Sequence, residues 1–222
     1  MAKWVVINED YLDYLRHYDS RVPNSNYGPD RYKPFFETLF EHNGFIYVAP
    51  VSHPQEKHLQ VKNSADFIKL YDGPDSKVPI AIVNLRYMFP VPEDKIKELE
   101  YKNIDQYRTF KNDKEKSKYI DLLSKELSII NSMDFERRAK KLYDLKTQYP
   151  DNDISKRCID FGLLEEKAKE LISEKAHIQS SNTLDNVSFE NMSVRERIRY
   201  LQQKEKLDTQ ENSKHKYQDY ER

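Results

Sequence analysis

The sequence predicts an α+β protein, on three observations. Short runs rich in Val, Ile, Phe and Tyr, broken by Pro, Gly and Asn, fill the chain up to about Val91. From about Glu93 the apolar residues recur at helical instead of alternating spacing. Asn43-Gly44 sits between two β-rich runs, a strong hairpin signal because both positions tolerate positive φ. Strands come first and helices after, so a small antiparallel sheet with helices segregated behind it is expected.

Taken in order, Trp4–Ile7 reads as a strand, and Glu9–His17 follows with Tyr11, Leu12, Tyr14 and Leu15 near helical spacing. Arg21–Pro34 collects Pro, Asn, Ser and Gly and reads as a long loop. Phe35–Phe40 and Phe45–Val51 form the predicted hairpin. Ile80–Leu85 is a continuous apolar run, read as a buried strand, and Tyr87–Val91 is a further short strand. Tyr119, Leu122, Leu123, Leu127 and Ile130 make one face of a helix. A second helix starts at Asp134 and runs short of Pro150, and Asp160–Ile172 gives a third. Ile178–Met192 is polar and aperiodic, a linker. Ser193-Val194-Arg195-Glu196 resembles a capping box opening a charged helix to about Leu207. The remaining tail holds little to bury and is expected to be disordered. Residues 1–172 are therefore read as one domain and 173–222 as an extension.

A chain of 222 residues with 37% hydrophobic and 34% charged residues can build a core beneath a highly charged surface. The net charge of −1 does not announce a nucleic-acid binder. Charge is uneven, however: Arg137, Arg138, Lys140 and Lys141 form a compact basic cluster, an RNA-contact candidate. The single cysteine, Cys158, excludes an internal disulfide and a Cys-based zinc site. No apolar run approaches the length of a bilayer span, and the opening residues are too weakly apolar for a secretion signal. A soluble, cytoplasmic protein is expected.

The densest chemistry lies in Tyr47–His58, which reads Tyr-Val-Ala-Pro-Val-Ser-His-Pro-Gln-Glu-Lys-His. Pro50 and Pro54 turn the chain off the sheet, because proline cannot donate to a ladder. Ser52, His53, Lys57 and His58 are presented at that turn. The histidines lack metal-binding spacing, glycines are too scattered for a phosphate loop, and no nucleophile elbow exists. Neither a metal nor a cofactor is expected. Acid–base chemistry remains. RNA cleavage suits it, because the ribose 2′-OH is the nucleophile and the protein need supply only proton transfer and a cation. Ser52, His53, Lys57, His58 and nearby Lys33 can form such a set, with Tyr11, Tyr27 and Tyr32 adding hydroxyls or stacking faces.

Three segments together resemble the ToxN/AbiQ family of type III toxin–antitoxin systems. They are Tyr11–Ser25, Lys33-Pro-Phe-Phe36 running into Tyr47–His58, and Asp66–Val91. The helices around Tyr119–Asn131, Arg137–Tyr143 and Arg157–Lys167 are similar to that family's C-terminal helices, so the likeness spans about residues 3–170. The resemblance implies a compact β-barrel-like core similar to the Kid/MazF toxins. It implies a metal-independent endoribonuclease leaving 2′,3′-cyclic phosphate ends and acting in phage defence by abortive infection. It also implies inhibition by a repeated, pseudoknotted RNA that the toxin processes, in a protein–RNA assembly, with the protein alone a monomer.

Residue by residue, the resemblance implies functional roles for Tyr11, Lys33, Ser52, Lys57 and His58. Tyr27 and Tyr32 both match the family's loop tyrosine. Two departures stand out: His53 replaces the usual Ser after Ser52, and Gln55 replaces the usual Lys after the proline. The expected catalytic set is Lys33, Ser52, His53 and Tyr11, and the expected RNA contacts include Tyr27, Tyr32, Gln55, Lys57 and His58. Because Gln55 removes a cation near the scissile phosphate, either Lys33 or Lys57 substitutes or catalysis is weakened. A catalytically weakened RNA-binding module is thus the alternative. A plain protein-interaction domain using the Ser193–Leu207 helix is a third reading.

Overall fold

A seven-stranded antiparallel sheet organises residues 1–173, the part of the chain that the computed structural model describes. The strands are β1 (Trp4–Ile7), β2 (Phe35–His42), β3 (Phe45–Ser52), β4 (Ile68–Leu70), β5 (Ala81–Val83), β6 (Phe89–Val91) and β7 (Ile96–Glu98). Pairing follows β4-β5-β3-β2-β1-β7, with β6 added to β3. The path ends at β4 and β7, so the antiparallel sheet expected from the sequence is present and is not closed into a barrel. Two compact units, Met1–Glu170 and Leu171–Arg222, make up the chain. The linker, capping box, charged helix and tail read from the sequence lie outside the described residues.

The hairpin β2–β3 is the spine. Asn43 and Gly44 both take positive φ, 51° and 80°, as a two-residue turn requires. Register runs from His42↔Phe45 to Phe35↔Pro50, with a bulge between Glu37 and Glu41 where Leu39 adopts φ 63°. On its other edge β3 pairs first with β6 and then with β5, so its final residues Val51 and Ser52 remain in the sheet. The predicted strand Ile80–Leu85 is shorter, because Leu85–Tyr87 closes a 3-10 turn instead. Strands β4 and β7, three residues each, have too few residues to show a period and were not predicted. The short helix α2 (Glu56–Gln60) was not predicted either.

Helices α1 (Glu9–Tyr18), α3 (Asp113–Asn131), α4 (Phe135–Gln148), α5 (Asp153–Arg157) and α6 (161–173) are the other helices of the described residues. Each begins at an Asn or Asp whose side chain accepts a first-turn N–H: Asn8 from Tyr11, Asn112 from Glu115, Asp134 from Arg137, Asn152 from Ile154 and Asp160 from Leu163. Trp4, Leu12, Leu15, Phe35, Phe36, Tyr47, Phe89, Leu123, Leu142 and Phe161 fill the core. Among the described residues no helix is long and apolar enough to cross a membrane.

A buried carboxylate joins α6 to the hairpin. Glu165 accepts from Tyr47 Oη at 2.6 Å and Asn43 Nδ2 at 2.8 Å, and lies 2.9 Å from His42 Nδ1. Burial alone raises its pKa, but the three hydrogen bonds outweigh burial and hold it below the ordinary carboxylate value. A depressed carboxylate pKa contributes stability that is complete above about pH 4.5 and is lost as acid titrates the folded state. Glu165→Gln is expected to lower the urea-unfolding free energy at pH 7 by about 2 kcal/mol, because the Tyr47 hydroxyl loses its ionised acceptor. The gap between variant and parent should narrow as pH falls below that value; a pH-independent gap would remove the ionised-network account.

Candidate active site

Antiparallel pairing brings the start of β2 beside the end of β3. Since Phe35 pairs with Pro50, continuing the register two residues sets Lys33 opposite Ser52. A cleft of about 590 Å³ opens at this edge, and Lys33, Ser52, His53, Gln55, Tyr27 and Tyr32 all line it. Six sequence-predicted residues, separated by up to 28 positions (from 27 to 55), thus share one concavity.

Lys33 is held from below. Its ammonium pairs with Glu126 on α3, whose side chain is wholly buried, and it lies 5.7 Å from the centre of the Trp4 ring. Burial lowers the Lys33 pKa and raises that of Glu126, in each case against the attraction of the other. Ser52 is half-buried, and its Oγ accepts from Asn84 Nδ2 at 3.2 Å. Asn84 is fixed in turn by Arg86, which donates to Asn84 Oδ1 at 3.2 Å. The Ser52 hydrogen is left to donate into the cleft. His53 follows Ser52 on the exposed side of the cleft. Partial desolvation by the wall lowers its pKa, and the cations of Lys33 and Arg108 lower it further.

The other wall is a small hairpin within the loop predicted for Arg21–Pro34. Asn26 and Tyr32 form a β-bridge, Gly28 turns at φ 127°, and Lys33 N–H donates to the Ser25 carbonyl at 2.9 Å. Thr109 N–H donates to the Pro29 carbonyl at 2.6 Å and braces the tip. Tyr27 is 59% exposed, open to a stacking partner, whereas Tyr32 is 4% exposed. The Tyr32 ring stacks on Tyr107 at 5.2 Å and its hydroxyl is buried with no hydrogen-bond partner.

The remaining candidates lie apart. Tyr11 is buried beneath β6, with its hydroxyl donating to the Pro90 carbonyl at 2.6 Å, and burial pushes its phenol far up. Lys57 is exposed on α2 and does not line the cleft. His58 closes the first turn of α2, accepting from Gln55 N–H at 3.1 Å, and packs edge-on against Phe67. Arg137, Arg138, Lys140 and Lys141 lie exposed on α4, which packs on β2; Arg137 pairs with Asp134 and Lys140 with Asp144. Arg108, Arg31, Asp30 and Asn24 line the cleft and were not singled out from the sequence. For Arg108 a signal existed: it stands in Tyr107-Arg108-Thr109-Phe110, a cation between aromatics. Among the described residues no group of three or more His, Cys, Asp or Glu is placed to hold a metal ion.

A pair this buried is costly to break from one side. Glu126→Ala is expected to lower the unfolding free energy by about 3 kcal/mol, leaving Lys33 desolvated and unpaired. The double variant Lys33→Met with Glu126→Leu should recover most of that loss in urea titration; equal instability of both would show that the contact contributes mainly packing.

Comparison with known proteins places this architecture. The family model described as "Toxin ToxN, type III toxin-antitoxin system" matches residues 3–169. The Endoribonuclease ToxN of Pectobacterium atrosepticum is 27% identical over 175 residues, 78% of this chain and 95% of that protein. The Endoribonuclease ToxN of Bacillus thuringiensis subsp. kurstaki is 30% identical over 175 residues, 76% of this chain and 83% of that protein. Among solved structures, one from work on selective toxin inhibition by a non-coding RNA pseudoknot superposes with TM-score 0.62 at 28% identity, over 77% of this chain and 97% of that one. The lactococcal anti-phage endoribonuclease AbiQ shares the fold, with TM-score 0.62 at 22% identity over 78% of this chain and 99% of that one. With a family model covering the whole sheet and its helices, the chain belongs to the ToxN toxin family of type III toxin–antitoxin systems.

Proposed function

We propose that this chain is an endoribonuclease toxin, inhibited by a repeated pseudoknotted RNA that it processes and acting in phage defence from the cytoplasm. The observation that carries the reading is the convergence of Lys33, Ser52 and His53 on one cleft beside an exposed tyrosine. The curated relatives, both endoribonucleases, support it. The activity is assigned to residues 1–172, on a Kid/MazF-like core inferred from the family resemblance. The protein alone is taken as a monomer that assembles with its RNA antitoxin.

On this reading the groups lining the cleft carry the chemistry themselves, without a metal. The 2′-oxygen of RNA attacks the adjacent phosphorus; the O2′–P bond forms and the P–O5′ bond breaks, leaving a 2′,3′-cyclic phosphate and a 5′-OH. His53 takes the 2′-OH proton and later releases it to solvent, while a water in the open cleft supplies the proton that the departing 5′-oxygen takes up. The lowered pKa of His53 keeps the ring neutral, and so basic, at pH 7. Lys33 and the Ser52 hydroxyl donate to the non-bridging oxygens as charge builds in the phosphorane. Tyr27 offers a face on which a splayed base stacks. Tyr11 acts at a distance, fixing β6 through Pro90.

A second reading is favoured by Gln55. It lines the cleft where the resemblance expects lysine, and Lys57 does not line it. On that reading the chain binds the RNA tightly and cleaves it poorly.

Single-stranded RNA incubated with purified protein in EDTA separates the two. The expected result is cleavage with cyclic phosphate ends, reduced about 100-fold or more in Lys33→Ala and Ser52→Ala; tight binding with intact RNA selects the second reading. The base role of His53 makes a separate claim. The single-turnover rate should rise with pH through a value below 6.5 and stay flat at neutrality, and His53→Ala should abolish that limb. A rate that falls as pH rises through this range would make His53 the acid.

A further inference from the structure

We propose that Arg108 is a catalytic residue of this cleft, its guanidinium gripping the scissile phosphate in the role that Gln55 leaves vacant. The inference rests on the ribonuclease reading above.

The charge balance of the cleft motivates it. Lys33 is committed to Glu126, so that pair brings almost no net charge to an incoming phosphate. Arg31 is exposed, and the carboxylate of Asp30 lies 3.8 Å away. Gln55 is neutral. A dianionic phosphorane therefore needs another cation, and Arg108 is the remaining one that lines the cleft.

Arg108 is also built for the task. Its guanidinium lies 4.3 Å from the centre of the Tyr119 ring and 5.3 Å from that of Phe110, so two aromatic faces fix its plane. The side chain is only 17% exposed, which removes most of the entropy cost of ordering it on binding. Its counter-charge is weak: Glu115 approaches Nη2 at 3.5 Å, is itself 34% exposed, and already accepts from Lys111 N–H at 2.9 Å. Arg108 Nε is buried with no hydrogen-bond partner. Nε is thus out of a ligand's reach, and the outer Nη groups, of which Nη2 meets Glu115 only at 3.5 Å, are the donors that can meet a two-oxygen ligand end-on. Arg108 also acts on His53 electrostatically, so the cation and the base share one site.

The geometry explains how the chain departs from the family's pattern. A lysine after the proline would reach the phosphate from the β3 side. Arg108 reaches it from the opposite wall, beyond β7 in sequence. A flexible point charge is replaced by a preorganised fork.

The test compares Arg108→Gln, Arg108→Lys and Arg108→Gln with Gln55→Lys, each checked for a cooperative melt. Single-turnover cleavage of a short RNA gives the rate, and a strand with a 2′-deoxy sugar at the cleavage position gives affinity without reaction. Arg108→Gln is expected to lower the rate about 100-fold while affinity falls only a few-fold, because the missing interaction strengthens in the transition state. Arg108→Lys should lose about 10-fold, lacking the fork. Adding Gln55→Lys to Arg108→Gln should return at least about 10-fold of the rate. A folded Arg108→Gln protein within about threefold of the parent overturns the proposal. If that variant does not fold, Arg108→Lys at the parent rate overturns it. Parent protein that binds RNA without cutting it instead overturns the ribonuclease reading, and this proposal with it.

Discussion

The ion pair between Lys33 and Glu126 is the constraint to which the rest of the site is fitted. A wholly buried carboxylate on a helix must meet a cation, and the cation stands two residues before β2, at the edge where the cleft opens. The helix that supplies Glu126 sends two other bonds from the same face. Tyr119 Oη donates to the Tyr32 carbonyl at 2.5 Å, and the Leu123 carbonyl accepts from Trp4 Nε1 at 2.9 Å. Residues 119, 123 and 126 follow helical spacing, so one stripe of α3 fixes β1, the loop hairpin and Lys33 together. Such a pair contributes little net stability, since apolar residues of similar volume often serve as well. What it does is hold a desolvated ammonium at one place in the cleft.

Much of this was legible in the chain itself. Asn43-Gly44, the β-rich runs Phe35–Phe40 and Phe45–Val51 and the helical spacing of the later apolar residues are local signals, and local signals survive tertiary assembly. The convergence of Lys33 with Ser52 was legible only to within the bulge: the two-residue turn alone would set Phe35 opposite Ser52, and the register shift between Glu37 and Glu41 brings Lys33 there instead. Glu126 was not. A carboxylate on a buried stripe reads as a break in the apolar pattern, so Leu122 and Leu127 were assigned to a face that Glu126 in fact shares. Arg108 was missed because a 3-10 segment and a loop carry it, with no period to mark its orientation. Tyr11 illustrates the opposite case: a residue type that suggests chemistry, used by this fold as a buried donor to Pro90.

The two walls of the cleft differ in how they are made. The β2–β3 wall is rigid sheet, and its side chains carry charge and hydroxyls whose partners are specific. Ser52 depends on Asn84, and Asn84 on Arg86. Substitution on this side therefore propagates, since each polar contact positions the next.

The opposite wall obeys another logic. The hairpin from Asn24 to Lys33 is closed by main-chain bonds from Tyr27 to Arg31, Arg31 to Gly28 and Lys33 to Ser25, and braced by Thr109 on Pro29. Gly28 aside, those bonds are indifferent to which side chains the loop carries. Asn24 and Asn26, whose side chains accept from Asn26 N–H and Gly28 N–H, are fixed to the turn, but the other side chains at its tip can drift through mutation while the backbone keeps its course. If the cleft is the ribonuclease site proposed above, a protein divided in this way can exchange the sequence it reads without rebuilding the machinery that acts on it, and lineages in conflict with changing phages would find that freedom already present in the fold.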